Sequence, residues 1–130
     1  MQDNVEYWLD LCNDDLATAK WLLEGERLLH CGYFCHQVVE KAFKAVVASQ
    51  TNEIPPKTHD IQRLAKIGNI FDKLSDEQFS LLDRLSPLQL EARYPEYKEK
   101  IAQTLSKEYC ARLVEETEGL LCWIKQQLGR

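Results

Sequence analysis

The side chains best suited to chemistry lie four residues apart along one predicted helix. His36, Glu40 and Lys44 fall on adjacent turns of the segment Cys31–Gln50, which places an imidazole, a carboxylate and an ammonium in one row. In that row Glu40 could orient His36 and also pair with Lys44. The alternative interpretation is a solvated helix face with ordinary charge pairs, each contributing about 0.2–0.5 kcal/mol.

Two short segments outside this helix carry further candidate groups. Thr58–His59–Asp60 follows Pro55–Pro56 at a predicted helix start, where backbone N–H groups favour anions such as phosphate. Arg93–Tyr94–Pro95 places a guanidinium beside a ring that could stack on a nucleobase. The alternatives are a plain helix cap with a surface histidine, and a proline-restricted loop whose tyrosine packs on the protein.

Spacing gives little support to metal binding or to cysteine chemistry. The three histidines form no helical pair, and no pair among the five cysteines has the spacing of a zinc or redox motif. We therefore predict buried free thiols and no metal site. Cys35 and His36 are neighbours on a helix and point about 100° apart, so no nucleophilic pair is expected. Glycine-rich phosphate loops are also absent.

The helix that carries the row is predicted to be the central helix of a bundle. One side of Cys31–Gln50 is broadly apolar and would bury against several neighbours at once. That side consists of Phe34, Cys35, Val38, Val39, Ala42, Ala45 and Val46. The opposite, polar side consists of Tyr33, His36, Gln37, Glu40, Lys41 and Lys44.

One long helix is predicted before the central one. Asp3 and Glu6 form an acidic capping box at its start. Gly25 is the predicted end, although the apolar pattern could continue to about Leu29. A short turn around His30–Gly32 is expected to connect it to the central helix.

The chain after Pro55–Pro56 predicts two shorter helices. Thr58 is the expected cap of the first, with Asp60 in its positive first turn. Ser75 and Gln78 form a capping box at the start of the second.

A last helix is predicted from about Ser106 to Leu128, after a helix end or loop at Leu88–Tyr97. No stretch alternates long enough to form a strand. The sequence therefore predicts an all-α fold, an antiparallel up-and-down bundle of about five helices, as a single domain over residues 1–130.

Composition and charge limit the possible functions. No apolar run approaches the ~18 residues of a membrane span and no signal pattern is present, so we expect a soluble, cytoplasmic protein without membrane association. The net charge of −5 argues against strong RNA affinity. Residues 31–70 nevertheless balance to +2, against −5 for residues 1–30. A local anion site is one interpretation, and ordinary solvated lysines are the other.

Three segments in order resemble the HEPN domain (higher eukaryotes and prokaryotes nucleotide-binding). They read YFCHQVVEKAFKAVV, THDIQRL and ARYPEY, and they match the typical Q-x-x-EKALKA helix, T-H-x-L turn and A-R-Y-P loop of that family. The resemblance covers nearly the whole chain. It implies a compact bundle of about five helices, which is often homodimeric.

The resemblance also implies partners and an activity class. Prokaryotic members are frequently encoded beside a minimal nucleotidyltransferase, often in toxin–antitoxin or related two-component systems. Many members are ribonucleases with an R-x4–6-H motif. Here Arg27 precedes His30 by three positions and His36 by nine, and no histidine follows the later arginines. The absent motif argues against ribonuclease activity, so no catalytic residue is assigned.

The resemblance implies a nucleotide site, for a ligand such as ATP, at the matching positions. Lys41 and Lys44 would meet phosphate, and Arg93 and Tyr94 would hold a base or second phosphate. His59 and Asp60 would shape the turn between them, and His36 and Glu40 complete the candidate set. The same motifs could instead be structural. Three functions stay open: a nucleotide- and partner-binding module, a ribonuclease toxin that uses His36 or His59, and a scaffold that only dimerises.

Overall fold

The structure is a computed structural model that describes residues 4–51, 53–89 and 95–130. Over these residues the chain forms six α-helices and two short 3-10 turns, at Phe71–Lys73 and Ser86–Leu88, and no strand. The helices are α1 Asn4–Glu24, α2 Leu28–Thr51, α3 Ile61–Ile67, α4 Asp76–Leu85, α5 Pro95–Thr104 and α6 Lys107–Gln127. The predicted all-α bundle is confirmed.

Helix α2 is the central helix, as the breadth of its apolar side predicts. It packs against α1, α3, α4, α5 and α6, with α1 and α6 as its main neighbours. Val38, Ala45 and Phe43 are fully buried, although Phe43 lies outside the predicted apolar side. Neighbouring helices therefore bury more of the α2 surface than its apolar side, because they also pack beside that apolar side.

The connection between α1 and α2 lies earlier than predicted. Helix α1 ends at Glu24, and the chain turns through Gly25 and Glu26, whose φ of 57° is left-handed. The turn predicted at His30–Gly32 is wrong, since α2 already begins at Leu28. Gly32 serves packing instead: a Cβ atom there would lie 2.9 Å from Leu88 Cδ1. The predicted Asp3 cap lies outside the described residues.

The cap of α3 is Asp60, not Thr58. The Asp60 carboxylate accepts a hydrogen bond from the Arg63 backbone N–H at 3.1 Å, while the Thr58 hydroxyl accepts one from the Asp60 N–H at 3.2 Å. Asp60 thus precedes the helix rather than lying in its first turn. Thr and Asp side chains both accept hydrogen bonds from backbone N–H groups a few residues later, so either can cap a helix. Sequence spacing alone therefore placed the cap of α3 two residues too early.

Helix α5 was not predicted. It contributes the buried Ile101, followed by Leu105 in the connection to α6, and its other described positions are mostly charged or polar. A sequence with so few apolar repeats carries a weak helical pattern. Helix α6 begins after the Ser106 cap and ends before Leu128, as predicted.

Four of the five free cysteines are buried, at positions 12, 31, 35 and 110. Burial raises the pKa of the Cys12 thiol to about 12, which makes it unreactive at neutral pH. Cys122 is exposed, so the prediction that it is buried is wrong. Leu121 and Ile124 belong to the buried side of α6, whereas the Cys122 side chain points outward from the helix.

None of the described helices combines the length and hydrophobicity that crossing a bilayer requires.

Helix α4 starts with the predicted capping box, in which Ser75 Oγ accepts from the Gln78 N–H at 3.1 Å and Gln78 Oε1 accepts from the Ser75 N–H at 2.9 Å. We predict that Ser75→Ala lowers the free energy of unfolding by about 1 kcal/mol, measured by urea denaturation. Gln103→Ala, at an exposed position inside α5, is the control and should change stability by less than about 0.5 kcal/mol. Equal losses in the two variants would contradict a role for the cap.

Candidate functional site

The candidate site is centred on the carboxylate of Glu40, which is buried inside the bundle. Its Oε2 atom accepts a hydrogen bond from Lys44 Nζ at 3.1 Å, and its Oε1 atom lies 2.9 Å from His59 Nδ1. Lys44 belongs to the next turn of α2, whereas His59 belongs to the segment that precedes α3. One carboxylate therefore joins two elements of the fold, and we call these residues together with His36 the Glu40 cluster.

The chain geometry after α2 brings His59 to this carboxylate. The helix cannot continue through Pro55–Pro56, and Pro55 is buried. Helix α3 then packs against α2, with Ile61 and Leu64 fully buried. At the far end of α3, Gln50 Nε2 donates to the Gly68 carbonyl at 2.5 Å. The segment is thus held to α2 at both ends, which positions the His59 ring.

The row His36–Glu40–Lys44 is not a solvated helix face. His36, Glu40 and Lys44 are only 1%, 2% and 8% exposed. His36 Nδ1 lies 3.8 Å from Glu40 Oε1, within ion-pair range but beyond hydrogen-bonding distance. The interpretation of ordinary surface charge pairs is therefore wrong, because other parts of the bundle cover this side of α2 as well.

Helix α1 contributes an aromatic ring that the sequence did not reveal. Lys44 Nζ lies 5.4 Å from the centre of the Trp8 ring, within the range of a cation–π interaction. The exposed ring of Tyr7 packs edge-on against Trp8 with 5.3 Å between centroids. Trp8 is partly buried against the core, and no local pattern of the sequence indicates that it meets a lysine 36 positions later.

Lys41 lies outside the Glu40 cluster. Its ammonium forms a short ion pair with Asp15 of α1, and both groups are partly buried. Adjacent helical residues point about 100° apart, so Lys41 and Glu40 meet different neighbours. Asp15 is a partner that sequence reasoning missed, since no local signal links residues so far apart in the chain.

The remaining predicted site residues lie apart or outside the described ranges. Asp60 is adjacent to His59 in sequence, but its carboxylate caps α3. Arg93 and Tyr94 lie outside the described residues. Of the predicted set, the structure therefore brings together His36, Glu40, Lys44 and His59.

His59 is the member of this cluster that reaches solvent, with 48% of its side chain exposed. A carboxylate can only accept hydrogen bonds, so Nδ1 is the ring nitrogen that carries the proton toward Glu40. The carboxylate thereby fixes both the tautomer and the orientation of the imidazole. The arrangement can present an oriented imidazole to a ligand at the surface, while the Lys44 ammonium lies buried on the other oxygen of the same carboxylate.

The profile of the HEPN domain family matches residues 5–127. This chain belongs to the HEPN family. Among solved structures it is similar to ST0689, an archaeal HEPN homologue, with 20% sequence identity, a TM-score of 0.67 and coverage of 98% of both chains. It is also similar to TT1696 from Thermus thermophilus, with 14% identity, a TM-score of 0.79 and coverage of 96% of this chain and 98% of the other.

At such identities the two solved structures support the helical fold of this HEPN domain and nothing finer. No curated protein matches the chain. The EKAxKA segment of the family pattern is the stretch of α2 that holds Glu40, Lys41 and Lys44.

Removing the charge of Glu40 should destabilise this HEPN domain strongly. Glu40→Gln keeps the side-chain shape but leaves the buried Lys44 ammonium without a counter-charge, at a cost of about 3 kcal/mol in the free energy of unfolding. Chemical denaturation measures this loss. Glu53→Gln, at an exposed position, is the matched control and should stay within about 0.5 kcal/mol of the unmodified protein.

The double variant Glu40→Gln/Lys44→Met separates charge from packing. Since it removes both members of the pair, it should recover part of the loss caused by Glu40→Gln alone. A double variant less stable than the single one would show that the ion pair does not account for the loss.

Proposed function

We propose that this HEPN domain is a non-catalytic module that binds a nucleotide such as ATP and acts together with a protein partner. The observation that supports the nucleotide site is the convergence of Lys44 and His59 on the Glu40 carboxylate. Helix α2 supplies the ammonium and the segment before α3 supplies the imidazole. The contact of His59 with Glu40 and the packing of α3 on α2 hold the connecting segment that carries the imidazole.

Phosphate is the ligand group that matches these donors. A protonated imidazole and an ammonium both donate charge-assisted hydrogen bonds to phosphate oxygens. Glu40 keeps the pair oriented, and the exposed edge of His59 gives a ligand access. The region from residue 31 to residue 70 is also the part of this acidic chain with a balance of +2.

The other family-pattern residues take secondary places in the proposal. Arg93 and Tyr94 are assigned to a base or second phosphate by the family resemblance alone. Lys41 pairs with Asp15 of α1 and so lies outside the Glu40 cluster. Lys44 and His59 are therefore the residues on which the proposed site depends.

The partner follows from the same family resemblance. We propose a homodimer that associates with a minimal nucleotidyltransferase, in a two-component arrangement of the toxin–antitoxin kind. A domain whose ligand site lies on one side of its central helix leaves other helix faces available for such contacts.

Ribonuclease activity is the second candidate, and one observation favours it. The pairing of His59 with Glu40 is the carboxylate–imidazole arrangement that orients a general base. His36, by contrast, is 1% exposed and lies too deep to contact an RNA backbone. A non-standard active site would therefore use His59.

The nucleotide proposal predicts that His59→Asn weakens binding of ATP by about tenfold, which corresponds to about 1.4 kcal/mol. The asparagine removes the imidazole while the side chain stays at a half-exposed position, so the fold should persist. Isothermal titration calorimetry with ATP and GTP measures the affinity. His30→Asn is the control, since His30 is an exposed histidine of α2 that lies outside the Glu40 cluster.

No heat of binding with either nucleotide at millimolar concentration would refute direct nucleotide binding. A short single-stranded RNA incubated with the same proteins decides the second candidate. Cleavage by the unmodified protein that disappears in His59→Asn and persists in His30→Asn would establish the ribonuclease instead of the non-catalytic module.

The partner proposal predicts that the protein co-elutes with a minimal nucleotidyltransferase encoded beside it when the two are co-expressed. Size-exclusion chromatography with light scattering gives the stoichiometry, and two copies of this chain per complex are expected. A monomeric chain that elutes separately from that nucleotidyltransferase would overturn this part of the proposal.

A further inference from the structure

A groove between α4, α5 and α6 lies apart from the Glu40 cluster. It consists of two open cavities, of about 310 Å³ and about 500 Å³, that share Arg84 and Tyr109 in their walls. None of the Glu40 cluster residues lines either cavity. Binding sites for small molecules typically have volumes of about 300–1,000 Å³, so each half is large enough for a small ligand.

The smaller half has an apolar floor. Leu88, Ile101 and Leu105 are buried beneath it, and Pro87 and the ring of Tyr109 form its sides. Such a floor binds an apolar or aromatic body by removing it from water, and the tyrosine ring adds a face for stacking. Lys100 and Thr104 lie at the edge of the same half.

An ion pair between Arg84 and Glu116 forms one wall of the larger half. Arg84 donates two parallel hydrogen bonds to Glu116, with Nη1–Oε2 at 2.6 Å and Nη2–Oε1 at 2.8 Å. The guanidinium holds the pKa of the Glu116 carboxyl below its ordinary value. This bidentate pair joins α4 to α6 and leaves Arg84 with its charge already matched.

Arg112 is the cation of the larger half that is placed to meet a ligand. Its guanidinium carbon lies 5.8 Å from the centre of the Tyr109 ring, and the side chain is exposed. Among the described residues no carboxylate lies within ion-pair distance of Arg112, although the charge of Glu116 interacts with it and Glu115 also lines this half. A guanidinium presents a planar fork of donors that matches a carboxylate or a phosphate.

We propose that this groove binds a small anion that carries a planar ring. The ring would lie on the apolar floor against Tyr109, and the anionic group would meet Arg112, with Lys100 at the opposite edge. Nucleoside monophosphates and aromatic carboxylates both have this chemistry. The site is independent of the proposed nucleotide site at the Glu40 cluster, because the two share no residue.

Titration calorimetry with AMP, adenosine and indole-3-acetate tests the proposal. AMP or indole-3-acetate should bind to the unmodified protein, while adenosine, which lacks the anionic group, should bind at least tenfold more weakly than AMP. Binding of AMP alone identifies a nucleoside phosphate as the ligand, and binding of indole-3-acetate identifies an aromatic carboxylate.

Two variants test whether the ligand binds in the groove. Arg112→Gln should weaken binding at least tenfold, and Tyr109→Leu should weaken it by removing the stacking face while keeping an apolar side chain. Lys73→Gln is the control, because Lys73 is an exposed cation that lines neither cavity. Thermal melts of the exposed-site variant Arg112→Gln should match those of the unmodified protein.

The outcomes separate this site from the Glu40 cluster. Binding that is lost in Arg112→Gln and kept in His59→Asn supports the groove. Binding that is lost in His59→Asn and kept in Arg112→Gln assigns the ligand to the cluster and overturns the groove. The absence of binding by all three probes at millimolar concentration also overturns it.

Discussion

A carboxylate buried in the central helix is the constraint on which the candidate site depends. A charged group taken out of water is costly unless a partner of opposite charge and further hydrogen bonds accompany it. Glu40 has both, from Lys44 on the next turn and from His59 in the segment before α3. The position of that segment is therefore coupled to the charge in the core. A substitution of Glu40 or Lys44 would change both the stability of the bundle and the orientation of the exposed His59 imidazole.

The same contacts give a physical meaning to the charged positions of the HEPN pattern. Glu40 holds the segment before α3, Lys41 pairs with Asp15 of α1, and Lys44 returns to Glu40 beside the Trp8 ring. Each of these charges ties α2 to itself or to a neighbour, while Ala42 and Ala45 between them are buried. The structural roles thus fall on the same side chains as the proposed binding roles, and ligand measurements on half-exposed residues such as His59 separate the two.

The groove between α4, α5 and α6 is organised differently. There the buried apolar residues form a floor, and the charges lie at its rim, where water reduces the strength of their interactions. Arg84 and Glu116 form a bidentate pair, and Arg112 lies exposed beside the Tyr109 ring. The two regions therefore differ in kind: the cluster is built around a buried charge, and the groove around an apolar surface with cations at its edge.

Local patterns of the sequence determined the helical fold, the central place of α2, the Ser75–Gln78 capping box and the spacing of the row on α2. These features depend on hydrophobic periodicity and on hydrogen bonds between residues a few positions apart. Only the tertiary structure decided that the row is buried, that His59 meets Glu40 and that Lys41 turns to α1. It also decided that Gly32 serves packing rather than a turn and that Cys122 is exposed. Those outcomes depend on contacts between residues distant in the chain, and periodicity along one helix carries no information about what covers each of its sides.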